Sequence, residues 1–222
     1  MKDASNYHKI YGSGKRMFYM PEDFVEKIKS HLWGNVLDIG IADGEKLKFL
    51  IEGCDTKEVV GIEPDSILVQ KARELFESKK NVRVINEHFE NFNRERGYFN
   101  TILMLEVIEH LPYSLVREVL AKIKDLLADK GTVIMSTPNK YVYSALCAFG
   151  FEQREPTHIN EMHCGKFRSI MKEYFKEKYF IGVLPGMSIT RKFPKIYPIF
   201  SKINRLVAHP LISRAVYFIG NK

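Results

Sequence analysis

The 222-residue sequence predicts an α/β fold: a doubly wound, mostly parallel seven-stranded sheet with an antiparallel last strand, the Rossmann-like arrangement. Three observations predict it. Short Val- and Ile-rich runs alternate with amphipathic helical patterns from residue 36 onward, as in strands joined by right-handed crossover helices. The run VLDIGIADG, residues 36–44, leads a buried strand straight into a glycine turn that opens a helix, where α/β sheets receive nucleotide-like ligands. Two strand patterns near the end, KYFIGVLPGMSI and AVYFIGNK, suit a final antiparallel pair.

The elements follow in order. An amphipathic helix over residues 22–31 precedes strand VLDIG, helix GEKLKFLIEG, strand VVGIEP and helix SILVQKARELFESK. Strands VRVINEHF, FNTILMLEVIEH and GTVIMSTPN come next, with helix LVREVLAKIKDLL between the last two. Near the end, Pro198 marks a helix start that puts Ile199, Phe200, Ile203, Leu206 and Val207 on one face, away from Lys202, Asn204 and Arg205. Such a basic amphipathic helix within 195–212 could pack on the sheet, cover a greasy substrate, or rest on a membrane surface.

At 45% apolar and 27% charged residues, the chain can bury a full core, and it reads as one domain over 1–222. Residues 1–33 would be an amino-terminal lid and helix, with Tyr7, His8, Tyr11 and Arg16 as lid candidates. Residues 34–140 form the cofactor-binding core, and 141–222 the acceptor side, closing strands and basic helix. No apolar run reaches the ~18 residues of a membrane span, and no early apolar segment is present, so a soluble cytoplasmic protein is expected. Cys54, Cys147 and Cys164 lack the spacing of a disulfide framework or zinc ribbon. The net charge of +7 is uneven: residues 166–222 carry twelve Lys or Arg against two acids. That asymmetry suits an anionic partner such as RNA, a phosphorylated metabolite or lipid headgroups, or else a solvated basic face.

The glycine turn does not suit a dinucleotide. Ala42 stands at the middle glycine position, and Asp43 and Glu45 put carboxylates at the helix start, where they would repel a pyrophosphate. The cationic S-adenosylmethionine carries no phosphate, so the acids there favour it. Glu63, at the end of the second strand, stands where such folds hold ribose hydroxyls, though it could also be a helix-start carboxylate.

Over residues 36–139 these features resemble the class I S-adenosylmethionine-dependent methyltransferases. VLDIGIADG is similar to that family's first motif, except at Ile41 and Ala42, and the resemblance implies cofactor contacts from Asp38, Gly40, Ala42 and Gly44. GIEP resembles the ribose-binding motif with Glu63, and INEHFENF the adenine-contacting segment, through Glu87 or His88. Met104 is counted among the cofactor contacts. FNTILMLEVIEHL with STPN resembles the branch holding ubiquinone-biosynthesis O-methyltransferases and small-RNA 2′-O-methyltransferases, with Asn100 in place of the usual Asp.

Glu106, Glu109 and His110 follow a strand that should end at the cofactor, and in a helical turn they would lie close together. A carboxylate pair with a histidine can bind a hard divalent cation, or the histidine can serve as pocket wall or general base. His158, Glu161 and Phe167 resemble the small-RNA enzymes' metal-binding stretch, which implies Glu106, Glu109, His110 and His158 as ligands of Mg or Mn. His163 and Cys164 match no zinc spacing and read as a half-buried histidine and an inert thiol. The expectation is S-adenosylmethionine-dependent methylation of an oxygen on a small or lipid-like acceptor, with Glu106, Glu109 and His110 as catalytic candidates. RNA ribose methylation with a metal, or a non-catalytic cofactor-binding protein, are the alternatives.

Overall fold

The computed structural model describes residues 22–184 and 209–222. The expected amino-terminal lid and most of the basic amphipathic helix lie outside those residues. In chain order the elements are α1 (Glu22–Lys29), β1 (Gly34–Ile39), α2 (Glu45–Ile51), β2 (Thr56–Glu63), α3 (Ser66–Leu75), β3 (Val82–Asn86), β4 (Phe99–Leu105), α4 (Tyr113–Leu126), β5 (Leu127–Pro138), α5 (Lys140–Ala148), α6 (Cys164–Tyr174), β6 (Lys176–Val183) and β7 (Ala215–Asn221). Short 3₁₀ turns lie at Ile108–His110 and Pro210–Ile212. The strands form one sheet in the order β3-β2-β1-β4-β5-β7-β6. β1 to β5 pair in parallel, and β7 runs antiparallel to both β5 and β6, as the closing strand patterns predict.

Alternation along the strands divides the core between two faces. Leu37 lies opposite Val60 and Ile102, and Ile102 opposite Val133, so these side chains share one face. That face is covered by Val116, Val119, Leu120 and Ile123 of α4 and by Phe167, Ile170 and Met171 of α6. Val36, Val59, Leu103 and Ile134 point the other way, under Ile28 of α1, Leu47 and Leu50 of α2, and Val69 and Ala72 of α3. A sheet apolar on both faces needs helices on both sides, which explains its unbroken apolar runs.

The structure departs from the sequence expectation at two strand ends and in two helices. β4 stops at Leu105 and β3 at Asn86, so Glu106–His110 and Glu87–His88 leave the sheet as loops at its carboxyl edge. α5 and α6 were not foreseen. α5 has no charged residue after Lys140, and a helix apolar on every side shows no 3.6-residue pattern. No described helix is long and apolar enough to cross a membrane.

Ile102 is fully buried on a central strand. Ile102→Ala is expected to cost about 3 kcal/mol of unfolding free energy in denaturant titration, from lost burial and a cavity that rigid neighbours cannot fill.

Candidate active site

Strand order reverses between β1 and β4, and this leaves a crevice above their carboxyl ends. The loop after β1 crosses it through three left-handed residues, Gly40 (φ 76°), Ala42 (φ 53°) and Gly44 (φ 83°). A Cβ on Gly40 would lie 2.5 Å from Val107 Cγ2, so the loop packs directly on the chain leaving β4. Ala42 holds a conformation that costs a residue with a Cβ roughly 1 kcal/mol, and its N–H donates to Glu63 Oε2 at 3.1 Å.

Glu63 is buried, and its Oε1 accepts from Asp65 N–H at 3.0 Å. The helix cap is Asp65, whose Oδ1 accepts from Ile67 at 2.9 Å and Leu68 at 3.2 Å. Glu63 thus ties the glycine loop to the end of β2 while keeping its carboxylate at the crevice. Burial pushes it up to about 7, although two amides donate to it. Asp38, also buried, is pushed up to about 7 by the same cause, with Lys46 opposing. Glu87 N–H donates to the Glu63 carbonyl at 3.2 Å, which puts the half-buried Glu87 and His88 beside that strand end. Met104, one residue before the end of β4, is 1% exposed and lies on the core face with Leu37 and Ile102.

Beyond β4 the chain turns through Glu106 at φ 59°. Glu106 N–H donates to Ser136 Oγ at 3.0 Å, and the Ser136 hydroxyl donates back to Glu106 Oε1 at 2.8 Å. Glu106 Oε2 accepts from Arg214 Nη1 at 3.0 Å, while Arg214 Nε and Nη2 grip Glu152 at 3.0 and 3.2 Å. Burial opposes the charge on Arg214, but Glu106 and Glu152 outweigh it and raise its pKa. Glu106 is therefore already engaged by a cation, which it shares with Glu152.

Glu109, His110 and His158 converge, with one ligating atom from each lying within 4.8 Å of the others. Glu109 is fully buried, and its Oε2 accepts from Thr137 Oγ1 at 3.1 Å. Its Oε1 has no hydrogen-bond partner among the described residues and lies 3.9 Å from His158 Nε2. Glu161 orients His158 through Nδ1 at 3.3 Å. His110 Nδ1 meets the Thr157 carbonyl at 3.2 Å, so Nδ1 carries the proton and Nε2 is the acceptor nitrogen. The two imidazoles meet edge to face at 4.8 Å, and the Tyr143 ring lies 5.4 Å from His158. Burial drives His110 down to about 4, helped by His158, and drives Glu109 well above the carboxylate range, helped by Glu106. An orphaned buried carboxylate oxygen facing an imidazole nitrogen makes a seat for a proton or a cation.

Of the four ligands expected from sequence, the structure gathers three and turns Glu106 onto Arg214. Sequence reasoning missed Arg214, Glu152 and Tyr143. A lone arginine before the apolar run AVYFIG was the available signal for Arg214. STPN acquires a purpose: Ser136 holds Glu106, Thr137 holds Glu109, and Asn139 Nδ2 donates to the carbonyls of Pro210 and Leu211 at 3.1 and 3.2 Å. Asn100 acts at the far end of β4, where its Oδ1 accepts from Asn35 N–H at 2.8 Å. His163 caps α6 by accepting from Lys166 N–H at 3.2 Å, and Cys164 is buried, which gives both a structural use.

Residues 14–176 match the family model described as a methyltransferase domain, and the chain belongs to that family. Its fold is that of S-adenosylmethionine-dependent methyltransferases. The N-methyltransferase NodS of Bradyrhizobium japonicum WM9, in complex with S-adenosyl-L-homocysteine, superposes with TM-score 0.67 at 12% identity, over 99% of this chain and 98% of that one. A geranyl diphosphate methyltransferase in complex with GPP and sinefungin superposes with TM-score 0.64 at 13% identity, over 89% and 76%. By sequence, 121 residues, 53% of this chain, are 29% identical to CymA of Salinispora arenicola, a probable non-canonical nonribosomal peptide synthetase. The chain spans only 2% of that protein's length.

Ala42→Gly is expected to raise unfolding free energy by about 0.5–1 kcal/mol in thermal or denaturant melts, because glycine relieves the left-handed strain. Affinity for S-adenosylmethionine is expected to climb between about pH 5 and 8 and level off above. A cationic ligand rich in hydroxyls favours ionised Asp38 and Glu63, so below their raised pKa values binding must expel protons. Calorimetry across that range measures it, and a flat profile would separate these carboxyls from the ligand.

Proposed function

We propose that this protein transfers the methyl group of S-adenosylmethionine to an oxygen of a small or lipid-like acceptor. One observation carries the reading: the fully buried Glu109, with its unpartnered Oε1 beside His158, stands two residues after Val107, which packs on the glycine loop. S-adenosylmethionine supplies, when bound, a methyl group already activated on a sulfonium, so the protein must chiefly align the acceptor and remove its proton. Asp38 and Glu63 fit that ligand, being buried acids that cationic and hydroxyl groups would stabilise in ionised form. The backbone of Gly40, Ala42 and Gly44 would line its amino-acid side, and Glu87 or His88 would meet the adenine amine.

On the acceptor side, Glu109 takes the proton through Oε1, and Thr137 holds the other oxygen in place. His110, held by the Thr157 carbonyl through Nδ1, walls the acceptor side beside Glu109. Its depressed pKa keeps the imidazole neutral there. Geranyl diphosphate, bound by a protein of the same fold, joins an anionic group to a greasy body, and the basic excess of residues 166–222 would suit such an acceptor.

The grouping of Glu109, His110 and His158 also supports a second reading, a divalent cation at a ribose-methylating RNA site. Two imidazoles with one carboxylate favour Mn over Mg, and Glu106 would join only by leaving Arg214.

Glu109→Gln is expected to lower kcat at least about hundredfold while cofactor affinity stays within about twofold. Methyl transfer from labelled S-adenosylmethionine, with calorimetry alongside, measures both. Turnover that survives a chelator supports the first reading. Loss of turnover rescued by Mn, with substrate binding that weakens steeply in salt, supports the second.

A further inference from the structure

We propose that the outer face of α5 docks this protein on an anionic lipid bilayer. For substrate delivery the inference rests on the lipid-like acceptor read above. α5 buries only Tyr143 and Leu146. Tyr141, Ala145, Ala148 and, just past the helix, Phe149 are exposed at spacings of four, seven and eight residues, one stripe of helical surface. Tyr141 is 68% and Phe149 76% exposed, and no charge interrupts the chain from Tyr141 to Phe151. Asn139 fastens the Pro210–Ile212 turn to the start of this helix, which adds Leu211 and Ile212, 66% and 55% exposed. A stripe of exposed aliphatic and aromatic side chains of this kind marks a contact surface.

Charge selects the occupant. Lys140 and Arg154 are exposed at the rim, and Arg154 Nη2 reaches Ser144 Oγ of the helix at 3.4 Å. The nearby acids turn inward, Glu152 to Arg214 and Glu155 to Thr157. An apolar stripe edged by cations matches an anionic headgroup surface, with Tyr and Lys at headgroup level and Phe and Leu below. A second copy would bring like charges together, and an RNA strand would leave Leu211 and Ile212 unused. The inner side of the same helix carries Tyr143 against His158, so the acceptor cluster lies about one helix diameter, ~10 Å, from the docking face. A lipid acceptor could reach Glu109 with its tail still in the bilayer.

The test is sedimentation of the whole protein with vesicles of phosphatidylcholine, alone or with one part phosphatidylglycerol to two. The wild type is expected to bind the mixed vesicles and release them in salt. Tyr141→Asp with Phe149→Asp should lower partitioning about tenfold or more, while S-adenosylmethionine affinity by calorimetry stays within about twofold. Phe149→Ser serves as a milder variant should the double substitution fail to fold, and should give a smaller loss in the same direction. Wild-type protein that ignores mixed vesicles, or variants that bind them undiminished, would overturn the docking. So would a wild-type dimer that the double variant splits without any vesicle binding. Methyl transfer to a soluble acceptor by a protein that binds no vesicle would sink the docking and leave the transferase reading standing.

Discussion

Arg214 enters β7 with its guanidinium shared between Glu106 at the end of β4 and Glu152 in the loop after α5, and the candidate site depends on that sharing. Three segments far apart in sequence meet on one cation. Glu106 can hold its left-handed backbone because Ser136 and Arg214 together engage its amide and both carboxylate oxygens. That turn ends the strand and swings Glu109 inward, where Thr137 receives it, and His110 toward Thr157. Arg214 also eases the ionisation of Glu109, which burial and the neighbouring Glu106 both oppose.

The carboxyl edge of the sheet gathers buried acids. Asp38, Glu63 and Glu109 are all buried and all raised above ordinary carboxylate pKa values, with burial as the leading cause. Such a site sits at some cost to the empty protein and favours a ligand that brings positive charge and hydroxyl donors. The pattern agrees with the chemistry of a sulfonium nucleoside and disagrees with that of a pyrophosphate, in line with Asp43 and Glu45 at the start of α2.

Much of this was legible in the linear chain. Apolar runs disclosed every strand, because a sheet buried on both faces demands them, and two of the three left-handed positions of the first loop are the visible Gly40 and Gly44, whereas Ala42 gave no such signal. Glu63 was recognisable from its distance to that loop. α5 escaped notice because its apolar residues surround the helix, so no amphipathic period was present to read. α6 does carry a signal, since Phe167, Ile170, Met171 and Tyr174 follow helical spacing.

The linear chain already carried the sheet, its glycine turn and the acids placed beside that turn, since each follows from local pattern and from residues adjacent in the chain. How Glu106 and Glu109 are divided came from the fold. Spacing alone makes Glu106 and Glu109 equivalent neighbours of His110. The fold sends one to a cation 108 residues away in the chain and the other to a buried threonine and histidine. Partners separated so far in sequence meet only when strands cross over, and a carboxylate's chemistry is set by the partner it meets, not by its position in a motif.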